Sequence, residues 1–268
     1  MTPLPPLSGD RPQTFTESWS GSTASSPPTI LVVDDEPSVL ASLQCTLTHA
    51  GYLVRTAESV GEAREVIRRR IPDVIIADLW FQAGDGQSLW EALSSCGGVR
   101  PDRFILLTGK GSDETVLRRA ERAGLCVVAK PCEPEHLLKI VREIVSRPRP
   151  RVLVVDDDVG ILEVFRELLS WYGYEAVLAS SGVEALALIR TTHVDAIAID
   201  LHLPLMSGTV LWERIRKEAP HLASRVVFVT ATPEKLERDP RLPCPVVAKP
   251  FDHEHLAQVL GGLIIPLT

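Results

Sequence analysis

The sequence predicts an α/β protein made of two (βα)5 units, each a doubly wound parallel sheet flanked by helices. Three observations carry that prediction. Short runs rich in Val, Ile and Leu alternate with stretches of helical periodicity along the chain. The runs are apolar at successive positions, as in Ile30-Leu31-Val32-Val33 and Val152-Leu153-Val154-Val155, which suits central strands covered on both faces. The pattern also occurs twice: Asp156, Asp200 and Thr230 each lie 122 residues after Asp34, Asp78 and Thr108 (for example 200 − 78). Lys249 follows Lys130 by 119 (249 − 130), so the second unit is three residues shorter between its Thr and its Lys. Strict β–α alternation implies parallel strands joined by helical crossovers.

Each element has a local reason. Residues 29–33 form an apolar run that ends in Asp34-Asp35-Glu36, and Pro37 then opens a helix at its first turn. Val39, Leu40, Leu43 and Leu47 recur at helical spacing, and Gly51 stops the helix. Residues 53–57 read as the second strand, 60–70 as a helix with Pro72 beyond it, and 74–78 as the third strand. Gly84-Asp85-Gly86 marks a loop, and Leu89, Trp90 and Leu93 begin the next helix. Strand four is 104–107, followed by a helix at 114–123, strand five at 127–129 and a last helix at 135–145. Arg147-Pro148-Arg149-Pro150 is a short, stiff linker. The pattern then restarts with a strand at 151–155, the run Asp156-Asp157-Asp158, and a helix carrying Ile161, Leu162, Phe165, Leu168 and Leu169. The stretch from Val194 to Asp200 repeats strand three and its terminal aspartate.

The expected domains are therefore 29–146 and 151–262, joined by 147–150 and followed by a C-terminal tail at 263–268. Residues 1–28, dominated by Pro, Ser and Thr, form an N-terminal tail expected to be disordered. A net charge of −7 gives no reason to expect nucleic-acid binding, so clusters such as Arg68-Arg69-Arg70 read as solvated helix faces. No apolar run reaches transmembrane length, and the N-terminus lacks the basic start and apolar core of a secretory signal. Five scattered cysteines without a C-x-x-C pair suggest reduced thiols in a cytoplasmic protein. Trp171-Tyr172-Gly173-Tyr174 reads as helix-end packing, and His253-Glu254-His255 has diverging histidines that do not suit a metal.

Residues just past strands one, three, four and five of such a sheet can converge at its C-terminal edge. The first unit gathers Asp34, Asp35, Asp78, Thr108 and Lys130 there, and the second Asp156, Asp157, Asp200, Thr230 and Lys249. Three carboxylates in one pocket repel each other, a hard divalent cation relieves that repulsion, and an all-oxygen site suits Mg2+. A carboxylate can attack a phosphoryl group to form an acyl phosphate, while cation, ammonium and hydroxyl offset charge on the phosphoryl oxygens. An isolated Asp pair would be read as a helix cap and an isolated Thr as a turn residue. The doubled constellation argues against both.

These residues carry a resemblance. Both halves resemble the receiver domain of two-component response regulators in the acidic pair, the strand-three Asp, the strand-four Thr and the Lys-Pro after strand five. The glycine eight residues past the central aspartate, Gly86 or Gly208, matches too. The resemblance covers about residues 29–146 and 151–261 and implies a flavodoxin-like fold in each half. It implies that Asp78 and Asp200 accept phosphate from a phosphohistidine on a histidine kinase or histidine phosphotransfer protein. Asp35 and Asp157 would bind Mg2+ directly, and Asp34 and Asp156 mainly through water. Asp78, Asp200 and the backbone carbonyls of Trp80 and His202 would complete the metal ligands. Thr108 and Thr230 would swing toward the phosphoryl group, and Lys130 and Lys249 would pair with it. The resemblance also implies a downstream protein target, a possible homodimer, and no enzymatic role beyond the chain's own phosphorylation and dephosphorylation.

The two halves depart from the family pattern in places. The second has Leu203-Pro204 after its phosphoacceptor, whereas the first has Phe81-Gln82. Val127 and Val246 stand where a switching aromatic is expected. Two other readings stay open: a haloacid dehalogenase-like aspartyl-phosphate phosphatase, suggested by Asp156-Asp157-Asp158, and a phosphorylation-independent interaction module that keeps the fold. The first copy, Asp34-Asp35-Glu36, breaks the phosphatase motif.

Between Thr108 and Lys130 lie 21 residues (130 − 108 − 1) with a good helix, but between Thr230 and Lys249 lie 18 (249 − 230 − 1) that include Pro233, Pro240, Pro243 and Pro245. Proline in a helix interior costs roughly 3 kcal/mol, so the fourth helix of the second unit should be short or absent. A dimer through helix four, strand five and helix five, as the resemblance implies, should therefore use the first domain. Light scattering on the isolated domains with a beryllofluoride phosphoryl mimic checks this; dimerisation of the second domain through that face, with the first remaining monomeric, would refute it.

Overall fold

The computed structural model describes residues 27–79, 89–94, 96, 98–109, 114–234 and 242–264. Most of the expected N-terminal tail, Trp80, Phe81, Gln82, Gly86 and the stretch 235–241 that bears on the shortened helix lie outside the described residues.

Two five-stranded parallel sheets organise the chain. In the first half the strands are β1 (Thr29–Val33), β2 (Leu53–Ala57), β3 (Val74–Asp78), β4 (Phe104–Thr108) and β5 (Cys126–Ala129), in the order β2-β1-β3-β4-β5. Its helices are α1 (Pro37–His49), α2 (Val60–Arg69), α3 (Leu89–Ser94), α4 (Glu114–Arg122) and α5 (Pro134–Ser146). The second half repeats the order with β6 (Arg151–Val155), β7 (Glu175–Ala179), β8 (Ala196–Ile199), β9 (Val226–Thr230) and β10 (Val246–Ala248), as β7-β6-β8-β9-β10. Its described helices are α6 (Val159–Trp171), α7 (Gly182–Thr191), α8 (Gly208–Glu218) and α9 (His253–Ile264). Both halves have the flavodoxin-like doubly wound topology, with a switch point beside the first and third strands of each sheet.

Local chemistry explains the boundaries. Pro37 and Pro134 occupy first turns, where their missing N–H groups cost nothing. Ser59, Ser181 and Ser207 accept hydrogen bonds from backbone amides of α2, α7 and α8, and Asp158 caps α6 through the amides of Gly160 and Ile161. Each sheet is packed on both faces. In the first half, Phe104 and Leu106 face the α2–α3 side, while Ile105 and Leu107 face α1 and α5. In the second, Ile197 and Ile199 pack toward α7 and α8, and Ala196 and Ala198 toward α6 and α9. Fully burying each large aliphatic side chain contributes roughly 1.5–3 kcal/mol, which favours continuous apolar strands over alternating ones. The partly buried Leu263 and Ile264 at the end of α9 pack against this second core.

The two halves meet in a seam at which Tyr172, just past α6, is buried against the first half. Gly98 sits at φ +86°, and a Cβ built there would come within 2.7 Å of Tyr172 Cδ1, so the ring needs both the left-handed backbone and the missing side chain. Ile71, beyond α2, joins the second half's core, and Tyr172 Oη lies 2.8 Å from His253 Nδ1 at the start of α9. The linker is tied down as well as proline-stiffened. Arg147 donates to the Asp102 carbonyl at 2.7 Å, Arg103 donates to the Arg147 carbonyl at 2.8 Å, and Arg149 pairs with Asp73 at 2.7 Å.

Gly98→Ala should destabilise the protein by about 1–3 kcal/mol, through backbone strain and overpacking against the Tyr172 ring. Urea denaturation of the full chain measures this, and an unchanged unfolding midpoint would contradict the packing described.

Candidate functional site

The hydrogen-bond ladder of each sheet extends past its strands and places the functional residues. Asp34 donates its amide to the Ala57 carbonyl, Leu79 to Leu107 and Lys130 to Thr108. In the second half Asp156 donates to Ala179, Asp200 to Val155 and Lys249 to Thr230. Carboxylates and lysine are thus delivered to the C-terminal edge by backbone pairing, before side-chain packing is considered. A second constraint orients the carboxylates: Asp34 Oδ1 accepts from the Glu36 amide and Asp156 Oδ1 from the Asp158 amide, each at 3.0 Å. Such local turns are a habit of Asp and leave its other oxygen facing the site.

In the first half that oxygen meets Lys130, whose Nζ lies 3.1 Å from Asp34 Oδ2 and 3.2 Å from Asp78 Oδ1. The second approach is off the hydrogen-bond direction, and the buried Asp78 Oδ1 has no hydrogen-bond partner. Oxygens of Asp34, Asp35 and Asp78 lie within 4.8 Å of one another, and among the described residues this is the one group of three or more such ligands. A converging all-oxygen donor set, one of whose carboxylate oxygens accepts no hydrogen bond, fits a hard cation such as Mg2+. Thr108, buried, ends the neighbouring strand.

The second half brings together the same residue types in a tighter arrangement. Lys249 Nζ lies 2.5 Å from Asp156 Oδ2 and 3.0 Å from Asp200 Oδ1, drawing both carboxylates to itself. Asp200 Oδ2 accepts from the His202 amide at 2.6 Å. Asp157 is exposed, and the trio does not close to the separation seen for Asp34, Asp35 and Asp78. The His202 ring reaches across the edge to Thr232 Oγ1 at 2.9 Å, and the Thr232 amide donates to Thr230 Oγ1 at 3.2 Å. Thr232 did not stand out in the sequence, where Thr230-Ala231-Thr232 offered only a second hydroxyl two residues on.

Electrostatics follow from the geometry. Burial alone would lower the pKa of both lysines; the Asp34 hydrogen bond and charge with the charge of Asp78, or the hydrogen bonds and charges of Asp156 and Asp200, outweigh it and hold the ammonium form above the ordinary lysine range. Cys132, two residues past Lys130, has its thiol pKa pushed up by burial, which argues against a nucleophilic role. Gly208 has a steric reason: a Cβ there would come within 2.3 Å of the Asp200 carbonyl oxygen, so the start of α8 can pass this close only without a side chain. Its counterpart Gly86, like the metal-ligand candidate Trp80, lies outside the described residues. Val127 and Val246 are half-buried on β5 and β10.

A family model described as the response regulator receiver domain matches residues 30–142 and again 152–260, well over half of the chain. Response regulator MprA of Mycobacterium sp. (strain KMS) is 34% identical over 117 residues, 42% of this chain and 50% of that protein. Transcriptional regulatory protein GlrR of Escherichia coli (strain K12) is 30% identical over 124 residues, 46% of this chain and 28% of that protein. The chain thus spans half or less of the length of these two relatives. Among solved structures, a sensor protein from Polaromonas sp. JS666 is similar at 27% identity and TM-score 0.41, over 44% of this chain and 97% of that one. Response regulator protein TrrA from Thermotoga maritima, solved in complex with Mg(2+)-BeF, is similar at 29% identity and TM-score 0.40, over 42% of this chain and 98% of that one. The double match over most of the length decides the family: the chain belongs to the response regulator receiver domains and carries two of them in tandem.

Proposed function

We propose that this chain is a phosphoacceptor protein of a two-component phosphorelay, taking phosphate on Asp78 and Asp200 from a phosphohistidine of a histidine kinase or histidine phosphotransfer protein. The observation that carries this reading is a buried-edge lysine, 3.2 Å from Asp78 in one half and 3.0 Å from Asp200 in the other. In the reaction a carboxylate oxygen attacks phosphorus, the partner's N–P bond breaks as the O–P bond forms, and the electron pair leaves with the imidazole. Lys130 and Lys249 would move from carboxylate to phosphoryl oxygen, and the hydroxyls of Thr108 and Thr230 would donate to a second oxygen. Asp34, Asp35 and Asp78 would hold Mg2+ in the first half, and Asp156, Asp157, Asp200 and the His202 carbonyl in the second. Bound there, the ion supplies charge neutralisation for the transferring group. The domains are taken as 29–146 and 151–262, acting in the cytoplasm on a downstream protein, with no substrate turned over beyond the acceptor itself. Among the described residues, no helix is long and apolar enough to cross a membrane.

Intact-protein mass spectrometry with a small-molecule phosphodonor should show up to two phosphate additions that require Mg2+. An Asp78→Asn, Asp200→Asn double variant should show none. No addition to the natural sequence, or undiminished addition to the double variant, would overturn the reading.

The two sites should also differ in metal affinity. The Lys249 contacts to Asp156 and Asp200 must be loosened before an ion enters the second site, whereas the first trio already converges. In a Mg2+ titration followed by amide NMR, resonances around Asp78 should shift at lower concentration than those around Asp200. Coincident titrations, or the reverse order, would contradict this.

A further inference from the structure

Among the described residues, most of the buried polar atoms without a hydrogen-bond partner gather at the seam between the domains. Among the described residues, six buried side-chain nitrogens and oxygens have no hydrogen-bond partner, and five belong to Arg100, Asp102, Arg103 and Tyr174. Three of the five are guanidinium donors: Arg100 Nε, Arg100 Nη1 and Arg103 Nε. Arg103 is only 9% exposed, and its terminal nitrogens are spent on the carbonyls of Asp73, at 3.4 Å, and Arg147, at 2.8 Å. Native proteins rarely leave such a cluster unmet, and a group of this kind points to a bound water or ion.

Charge decides between the two. Arg100, Arg103 and Arg149 line one small cavity at the seam, of about 20 Å3, together with Asp73 and the Tyr172 ring. The nearby carboxylates are Asp73, paired with Arg149 at 2.7 Å, and Asp102, paired with Arg100 at 2.7 Å. Asp73 Oδ2 is already used by the Thr29 amide. Three guanidinium groups therefore face two carboxylates, leaving one positive charge in excess. Burial and the neighbouring Arg100 charge both lower the Arg103 pKa, the direction expected of crowded cations. A water offers two lone pairs and no charge, so it would leave one of the three donors and the excess charge unmet. The remaining unpartnered atoms, Asp102 Oδ1 and Tyr174 Oη, are an acceptor and a donor that a bridging water can serve. The cavity's volume is of the order that holds one small ion.

We infer that the seam is a binding site for one small monovalent anion of the halide class, seated between Arg100, Arg103 and Arg149. The anion would accept from the free guanidinium nitrogens and cancel the excess charge, tying the first domain to the linker.

The full chain tests this with bromide and chloride as probes. Crystals soaked in bromide should show an anomalous peak between the guanidinium groups of Arg100 and Arg103. In solution, replacing gluconate by chloride at fixed ionic strength should raise Tm by about 2–4 °C, since an ion bound by the folded state alone stabilises it by mass action. Arg103→Gln should lose the chloride dependence, whereas Arg122→Gln, on the open cleft nearby, should keep it. Should Arg103→Gln fail to fold, the bromide map and the salt comparison on the natural sequence decide. A cavity without bromide, or equal Tm in the two salts, would overturn the inference.

Discussion

A lysine ammonium held between carboxylates is the interaction on which each half of this protein depends. A parallel sheet covered on both faces has one place for polar chemistry, the C-terminal edge, and here that edge collects acidic groups from two strands. Asp34 and Asp156 are 2% and 3% exposed, deep enough that uncompensated charge would be costly. Lys130 and Lys249 supply the compensation from the fifth strand of each sheet, by side chains that are themselves only partly exposed. The backbone ladder that positions the carboxylates also positions the lysine, so fold and site are products of one hydrogen-bonding scheme.

The two halves show how far one scheme can diverge. Their strands share topology and their key residues share spacing, yet the edges differ in state. In the first, the carboxylates converge on one another and one oxygen accepts no hydrogen bond; in the second, the lysine holds two of them apart from Asp157, and a histidine–threonine bridge spans the surface above. The strands beneath are apolar in both halves, and the difference lies in how the side chains at the edge pair. A family-level description of either half would overlook it.

Much of this was legible in the sequence. Continuous apolar runs announced the central strands because those are buried on both faces, and the boundaries of β1, β3 and β6 fall where the runs begin and end. The acidic pair, central Asp, Thr and Lys could be read because they appear twice at matched intervals. What could not be read is the seam. Tyr172 looked like helix-end packing, and it does pack there, but its ring also presses on Gly98, 74 residues earlier (172 − 98). A glycine in a loop announces a turn and says nothing about a distant ring. Arg100 and Arg103 likewise resemble solvated loop residues until tertiary packing buries them. The Lys249 contacts were invisible for a related reason: spacing brings groups to an edge but does not say which partner a flexible side chain will choose.

Two linked binding modules ordinarily gain avidity because a loose tether lets the second reach whatever spacing a partner presents. This connection is four residues long, two of them proline, and its arginines are tied to backbone and carboxylate on the first domain. The linker is therefore held against the first domain and is shorter and stiffer than a loose tether. A bivalent partner gains from both only if its own spacing matches, and any other engages one site at a time, at the affinity of that site alone. For a partner that offered two contacts, so short a tether would turn valency into a filter on spacing, set by four linker residues.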